Sequence, residues 1–186
     1  SLLPLISIGY SLPKIIKSFI EAKKLFEKNH IDISKYTSYS IAYEKKFDLN
    51  ILVGLSYHDK INAVNEWYRQ IFAESLGKNK NAKNYISSYG SIDQHSQFQL
   101  YIDGPYDKHF NFFKIKNNNK AVNSNASLIK GYNLMSTLEN GAIKTLQQKK
   151  FLVTQISIDD DFNSYCYLLF YLIFDIYLRS KFEKIN

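Results

Sequence analysis

Hydrophobic and polar positions change period several times along this 186-residue chain, from a two-residue to a 3.6-residue repeat. The clearest strand signal is LNILVGLSY at 49–57, a continuous apolar run of the kind found in parallel strands that are buried on both faces. Further strands are predicted from NYISSYG, HFNFFKIK and FLVTQISI, at 84–90, 109–116 and 151–158. HFNFFKIK is the one that alternates.

Helical spacing separates these strands. Pro13 lies in a first-turn position, and Ile16, Phe19, Ile20 and Phe26 are expected to share one helix face. The other predicted helices are 34–46, 60–76 with Asp59 as its cap, a short helix capped by Ser91 or Asp93, 131–150, and 161–182. The polar stretch at 117–127 is expected to be a loop. Alternating strands and helices favour a three-layer αβα sandwich with a parallel sheet.

Length and composition favour one globular domain over residues 1–186, without a repeat or a linker. The net charge of +7 does not come from a clustered basic stripe, so we expect no nucleic-acid partner. The lysines are instead spread over helix faces and element ends, as on a solvated surface. A basic protein also suits an anionic substrate such as a sugar phosphate.

The single cysteine, Cys166, lies in an apolar run and is expected to be a small buried hydrophobe in a reducing compartment. The run at 165–178 is too short for a spanning helix and contains Asp175, so a helix buried against the sheet is preferred and no membrane partner is expected. No basic leader precedes SLLPLISIGY, and a cytoplasmic location is therefore expected.

Gln70 and Glu74 are the first candidate chemical pair. They are four residues apart on a predicted helix, so their side chains are adjacent. A carboxylate in a partly desolvated pocket is a potential general base. The alternative is an ordinary exposed helix residue. Gly77-Lys78 is not part of a phosphate-binding P-loop, because Phe72 replaces the first glycine and Asn79 the Ser or Thr.

His95 is the second candidate, one turn inside the short helix that follows Gly90. A neutral imidazole there could carry protons near pH 7, and a structural histidine is the alternative. We expect both candidate segments near the carboxyl ends of the strands, where open parallel sheets bind ligands. His30, His58 and His109 stand in surface-like contexts without metal-ligand spacing, so no metal is expected.

The two segments together resemble a known family. Glu74-Ser75-Leu76-Gly77-Lys78, preceded by W-Y-R-Q at 67–70 and followed by GSIDQHSQFQLYIDGP at 90–105, is similar to the C-terminal half of phosphoglucose isomerase. The similarity also takes in S-L-L-P-L at 1–5 and the last helix, so it extends over nearly the whole chain. Both motifs, in order and with intact flanks, make the resemblance specific.

The resemblance implies a sugar-isomerase (SIS) domain with a five-stranded, flavodoxin-like sheet, although the sequence shows only four clear strands. It implies interconversion of glucose 6-phosphate and fructose 6-phosphate, in glycolysis and gluconeogenesis, without a cofactor. Glu74 matches the base that moves a proton between sugar carbons, and His95 matches the histidine that assists ring opening. Gln70 matches a substrate-binding glutamine. In the family the histidine serves the neighbouring subunit, which implies a homodimer.

The chain also departs from the family pattern. The Gly-Gly-Arg motif would precede Ser1, the catalytic lysine would follow Asn186, and the phosphate loop belongs to an N-terminal SIS domain outside residues 1–186. Ile92 replaces a threonine of many relatives, and Lys181 and Lys184 lack the context of the missing lysine. Three interpretations stay open: a piece of a full isomerase, a separate polypeptide that pairs with another, and a decayed or non-catalytic phosphosugar-binding module. We expect the 186-residue chain alone to be inactive.

Overall fold

The computed structural model describes residues 3–78, 80, 82–116 and 126–184. Its elements are α1 (Leu3–Ser7), α2 (Leu12–Lys46), β1 (Ile51–Ser56), α3 (Asp59–Leu76), β2 (Asn84–Tyr89), α4 (Gly90–Ser96), α5 (Phe98–Asp103), β3 (Lys108–Ile115), α6 (Ala126–Gln148), β4 (Leu152–Ile158) and α7 (Phe162–Glu183). Most of the polar loop predicted at 117–127 lies outside the described residues.

The strands form one parallel four-stranded sheet in the order β2-β1-β3-β4. Helices cover both of its faces, so the predicted three-layer sandwich is confirmed. The chain moves outward from β1 to β2 and then crosses to β3 on the other side of β1. The reversal occurs between β1 and β3, and in open α/β sheets the carboxyl ends of two such strands are the general place for ligand binding.

Side-chain alternation along the strands divides the core in two. Leu52 and Phe113 face α3 and α7, whereas Val53 and Phe112 face α5 and α6. Almost every residue of β3 is buried, because this strand is central and covered on both faces. The strand predicted from HFNFFKIK is therefore confirmed, although its alternating pattern does not correspond to one exposed face.

The long helix α2 corrects two predictions. It is one continuous helix of 35 residues, about 52 Å long, rather than two helices with a break before residue 34. Its buried stripe begins at Ile15, Ser18 and Ala22, while Ile16 and Ile20 are exposed. The burial pattern follows contact with α7, because small polar residues fit against that helix as well as apolar ones do.

Gly54 allows α3 to approach the sheet closely. A Cβ at this position would lie 1.9 Å from the Tyr85 hydroxyl and 2.3 Å from the Asn65 carboxamide oxygen. The absence of a side chain lets the Asn65 amide donate to the Gly54 carbonyl at 2.8 Å. Tyr85 in turn donates to Asn65 at 2.5 Å, so a buried polar contact fixes the middle of α3 on β1 and β2.

Candidate functional site

Gln70 and Glu74 lie side by side on the outer face of α3. The Gln70 amide donates to a Glu74 carboxylate oxygen at 2.9 Å, as the four-residue spacing predicts. Both side chains are exposed, so within this chain the alternative of an exposed helix residue holds for Glu74, and the chain by itself provides no partly desolvated pocket around it. The pair can bind a hydroxyl group and accept a proton, but walls that exclude water would have to come from elsewhere.

The direction of α3 places this pair at the amino edge of the sheet. Near the start of the helix, Asn62 accepts a hydrogen bond at 2.9 Å from Ser56, the last residue of β1. Near its end, the ring of Phe72 packs 5.3 Å from Tyr85, the second residue of β2. The helix therefore runs against the strands. The expectation that Glu74 lies near their carboxyl ends is wrong, because a helix that follows a strand returns to the edge where that strand began.

His95 lies at the opposite, carboxyl edge, on α4 directly after β2. Asp93 fixes the start of this helix by accepting from the Tyr89 backbone amide and the Ser88 hydroxyl, both at 2.7 Å. The predicted helix caps, Ser91 and Asp93, are corrected here: the capping position is Tyr89, and Asp93 acts from inside the first turn. His95 is exposed and therefore accessible to a ligand or to another chain.

Tyr57 supports α4 from below. Its hydroxyl donates to the Gln94 side chain at 3.3 Å, and its ring lies directly beneath Gly90. A Cβ on Gly90 would be 2.3 Å from the ring, so glycine is required for this close approach. These contacts fix the position of α4, the helix that carries His95, relative to Tyr57.

Of the three predicted site residues, the structure brings together Gln70 and Glu74 but not His95. The pair and the histidine are separated by about the length of β2, or roughly 16 Å for six residues. A single small ligand cannot contact both edges of one sheet. His95 and Glu74 of the same chain therefore cannot contact one small ligand, and each can contribute only to a separate site.

A buried charged cluster, which the sequence pattern did not single out, lies beneath the Gln70–Glu74 pair. We use this name for Glu44, Lys83, His109, Asp175 and Arg179. The Arg179 guanidinium donates to both Glu44 oxygens, at 2.9 and 3.1 Å, and to Asp175 at 2.7 Å. Lys83 contacts Glu44 at 2.9 Å. The only signal in the sequence is the i,i+4 pair Asp175 and Arg179 within an apolar run.

His109 connects this cluster to the sheet. Its Nδ1 lies 2.7 Å from Glu44, and its Nε2 lies 2.7 Å from the Thr154 hydroxyl. Burial lowers the pKa of His109, so the ring is neutral at pH 7, donates to the carboxylate and accepts from Thr154. Burial alone would raise the pKa of Glu44, but Arg179 and His109 hold it well below its ordinary range.

A further buried carboxyl group, Glu139 of α6, lies on the other side of the sheet. Its side chain is 2% exposed, with one oxygen 3.5 Å from the Lys114 ammonium and the other without a hydrogen-bond partner among the residues that the structure describes. Burial raises the pKa of Glu139 to about 7, a shift that Lys114 only partly offsets. Glu139 also helps to raise the pKa of Tyr57, the residue beneath α4, after burial itself.

The structure corrects the predictions for two histidines and confirms the prediction for the single cysteine. His58 and His109 are buried, at 8% and 2% exposure, rather than in surface-like contexts. Cys166 is buried as expected, and burial raises the pKa of its thiol to about 11.

Among the residues that the structure describes, no three His, Cys, Asp or Glu side chains are grouped as a metal site requires. Across the same residues, no helix is long and apolar enough to cross a membrane.

Comparison with solved structures supports the fold. A hypothetical protein from Thermus thermophilus superimposes with a TM-score of 0.76 over 97% of this chain and 47% of its own. The two sequences are 18% identical, so this similarity concerns the fold alone.

Comparison with curated proteins gives sequence relatives. The chain is 36% identical over 120 residues to glucose-6-phosphate isomerase of Methanocaldococcus jannaschii and 35% identical over 124 residues to that of Campylobacter jejuni. It is 32% identical over 144 residues, or 73% of its length, to a probable glucose-6-phosphate isomerase of Methanococcus maripaludis. No protein-family model matches the chain. The matched regions span 29%, 30% and 33% of these relatives, about a third of their length.

Proposed function

Because the chain belongs to the glucose-6-phosphate isomerase family, we propose that it forms one part of an enzyme that interconverts glucose 6-phosphate and fructose 6-phosphate. The observation that carries this proposal is the hydrogen-bonded pair of Gln70 and Glu74 at the end of α3. A single carboxylate beside a hydroxyl-binding amide matches what aldose–ketose isomerisation requires. A cytoplasmic location belongs to the same proposal and is supported by the unpaired, buried Cys166.

In the proposed reaction, Glu74 removes the proton from C2 of the open-chain aldose, the C–H electrons form a C1–C2 double bond, and the C1 carbonyl oxygen takes the negative charge of a cis-enediolate. The proton of the C2 hydroxyl moves to the C1 oxygen, the Glu74 carboxylic acid returns its proton to C1, and the C2 oxygen becomes the carbonyl of the ketose. Gln70 holds a substrate hydroxyl next to the base, since its second amide hydrogen remains available after it donates to Glu74. A base can return the same proton only when bulk water is excluded.

The exposure of Glu74 supports an incomplete site. The proposed enzyme therefore needs the rest of the family's polypeptide to close over Gln70 and Glu74, and the chain alone is expected to be inactive. The +7 net charge favours an anionic substrate, but the phosphate-gripping groups are proposed to come from outside this chain.

His95 has a separate proposed role in opening the sugar ring. An imidazole can donate a proton to the ring oxygen and take one from the anomeric hydroxyl. The distance between the two sheet edges supports the proposal that His95 serves a site whose Glu74 belongs to a second chain. A homodimer is therefore part of the proposed function.

The test compares the chain alone with a form extended by the flanking segments of the Methanocaldococcus jannaschii relative. Both are assayed for conversion of fructose 6-phosphate to glucose 6-phosphate. We expect activity only in the extended form, with a loss of at least about 1,000-fold on Glu74→Gln, the size expected for removal of a general base. Glu27→Gln, an exposed carboxylate on α2, is the matched control and is expected to change little.

Inactivity of the extended form, with sugar phosphate still bound, would contradict catalysis and favour a non-catalytic phosphosugar-binding module. Turnover by the 186-residue chain itself would instead show that the site is complete without further segments. An extended form that stays fully active after Glu74→Gln would exclude this residue as the base.

A further inference from the structure

We propose that the buried charged cluster positions the Gln70–Glu74 pair, with Tyr68 and Arg179 as the positioning residues. This inference rests on the proposed function of the pair. The cluster contacts α3 only on its inner face, yet it determines where the outer face of the same two turns lies. Neither Tyr68 nor Arg179 is proposed to contact the substrate.

Two contacts connect the cluster to the end of α3. The Tyr68 hydroxyl donates to Asp175 at 2.5 Å, and the Arg179 guanidinium lies 6.0 Å from the centre of the Phe72 ring. Burial raises the pKa of Tyr68 well above its ordinary value, so the phenol remains a donor to the carboxylate. The ring of Tyr68 also packs on Phe72, with centroids 5.7 Å apart.

Helix geometry transmits this anchoring to the candidate site. Tyr68 and Phe72 are one turn apart on the buried face. Gln70 lies two residues after Tyr68, or about 200° around the axis, and Glu74 follows Phe72 by the same step. The anchored pair and the candidate pair are thus on opposite sides of the same two turns. A rotation of α3 that moves one pair moves the other.

The end of α3 needs such an anchor. Its last turn is closed by the Gly77 amide, which donates to the Ala73 carbonyl at 2.9 Å, and the chain then leaves for a connection that precedes β2. Helix ends fray because their final carbonyl groups lack partners within the helix. The cluster opposes fraying because Tyr68 of α3 donates to Asp175 of α7. Arg179 of α7 in turn bonds to Glu44 of α2, which also contacts His109 of β3.

The chemistry of the cluster favours positioning over simple stabilisation. Buried ion pairs are often no more stabilising than apolar side chains of the same volume, because the charges lose their hydration. They do fix geometry, since each donor has to meet a particular oxygen. Arg179 satisfies Glu44 and Asp175 at once. Its two bonds to Glu44 of α2 exclude a shifted register of α7 against α2, and its bond to Asp175 within α7 holds the guanidinium in place.

The experiment uses amide hydrogen exchange on the 186-residue chain and three conservative variants. Tyr68→Phe removes only the hydroxyl group that meets Asp175, and Arg179→Lys keeps the charge but loses the two-pronged contact with Glu44. Tyr85→Phe is the matched control, because it removes a buried tyrosine bond to Asn65 in the middle of the same helix.

We expect Tyr68→Phe to speed exchange of the amides at 72–77 at least tenfold, relative to its effect on amides of β1 and β3. Arg179→Lys is expected to have a larger effect in the same segment, and Tyr85→Phe is expected to leave 72–77 unchanged relative to those strands. Uniform acceleration along the chain, or equal effects of the two tyrosine variants, would overturn the proposal.

A second measurement separates this inference from the proposed function. In the extended form, Tyr68→Phe is expected to lower kcat for fructose 6-phosphate at least fivefold with little change in the shape of the pH profile, because the base remains but is misplaced. Unchanged kcat together with faster exchange at 72–77 would overturn positioning of the site. If the unmodified extended form is inactive, the proposed function fails, and faster exchange at 72–77 in Tyr68→Phe would still support anchoring of the pair.

Discussion

Glu74 and His95 lie at opposite edges of one parallel sheet, separated by about the length of β2. The separation follows from the connection rules of α/β folds, since α3 returns to the amino edge and α4 begins where β2 ends. Two residues that the proposed reaction needs at one substrate are therefore presented in opposite directions. A second chain that supplies the other residue resolves this arrangement.

The first prediction concerns assembly. Because each proposed site takes Glu74 from one chain and His95 from another, the protein is expected to be a dimer at micromolar concentrations. Light scattering coupled to size-exclusion chromatography measures this directly. A monomer at high concentration, for the chain alone as well as for the extended form, would contradict a shared site.

Glu139 is expected to make stability fall as the pH rises. Its pKa is about 7 in the folded protein and near 4.5 in the unfolded chain, so the folded state holds the proton more tightly. The stabilisation is complete below pH 4.5 and is lost as the pH rises through 7, a change of about 3 kcal/mol for this group. Urea denaturation at several pH values measures it.

Glu139→Gln supplies the control, because the amide keeps the shape of the side chain but does not titrate. The variant is expected to lose this component of the pH dependence between pH 4.5 and 7 and to be the more stable protein above pH 7. An identical pH dependence in both proteins would show that the carboxyl group is not responsible.

Glu44 is expected to make the stability of the protein fall as the pH falls, which is opposite to the effect of Glu139. Burial disfavours its charge, but Arg179 and His109 lower its pKa, so its contribution is present above pH 4.5 and is lost as the pH falls further. Glu44→Gln leaves Arg179 with one carboxylate partner fewer in a buried site and is expected to cost roughly 3–5 kcal/mol at pH 7. Glu27→Gln, on an exposed part of the same helix, is expected to change stability by less than about 0.5 kcal/mol.

Gly90→Ala is expected to displace α4. The new methyl group would meet the Tyr57 ring at 2.3 Å, so either the ring or the helix has to move, at a cost of about 1–3 kcal/mol. Gly141→Ala is the control: it lies in α6, no described residue has an atom within 4 Å of the new one, and the change is expected to stabilise the protein by roughly 0.5–1 kcal/mol. Thermal unfolding of the two variants should therefore shift in opposite directions, and a stabilising Gly90→Ala would exclude the contact.

The strands and most helices could be predicted because their periodic patterns are local. The continuity of α2 could not be predicted in this way, because its buried stripe includes Ser18, Thr37 and Ser40, which an apolar pattern ignores. Only contact with α7 decides which side of α2 is buried. The exposure of Ile16 and Ile20 has the same origin.

The candidate site was predictable in part. The contact between Gln70 and Glu74 follows from helical spacing, and it is present. The edge of the sheet at which Glu74 lies was predicted wrongly, because the prediction overlooked that a helix following a strand returns to the amino edge of the sheet. The buried charged cluster could not be predicted, because Glu44 and Arg179 are 135 residues apart and meet only in the folded chain.

The measurement that tests the central claim most directly mixes two inactive variants of the extended form, Glu74→Gln and His95→Asn, after unfolding and refolding them together. If a site combines Glu74 of one chain with His95 of another, each mixed dimer holds one intact site, and about a quarter of the unmutated activity should return. This fraction follows from half of the dimers being mixed, with one of two sites intact. Activity no higher than in the separate variants would contradict a shared isomerase site.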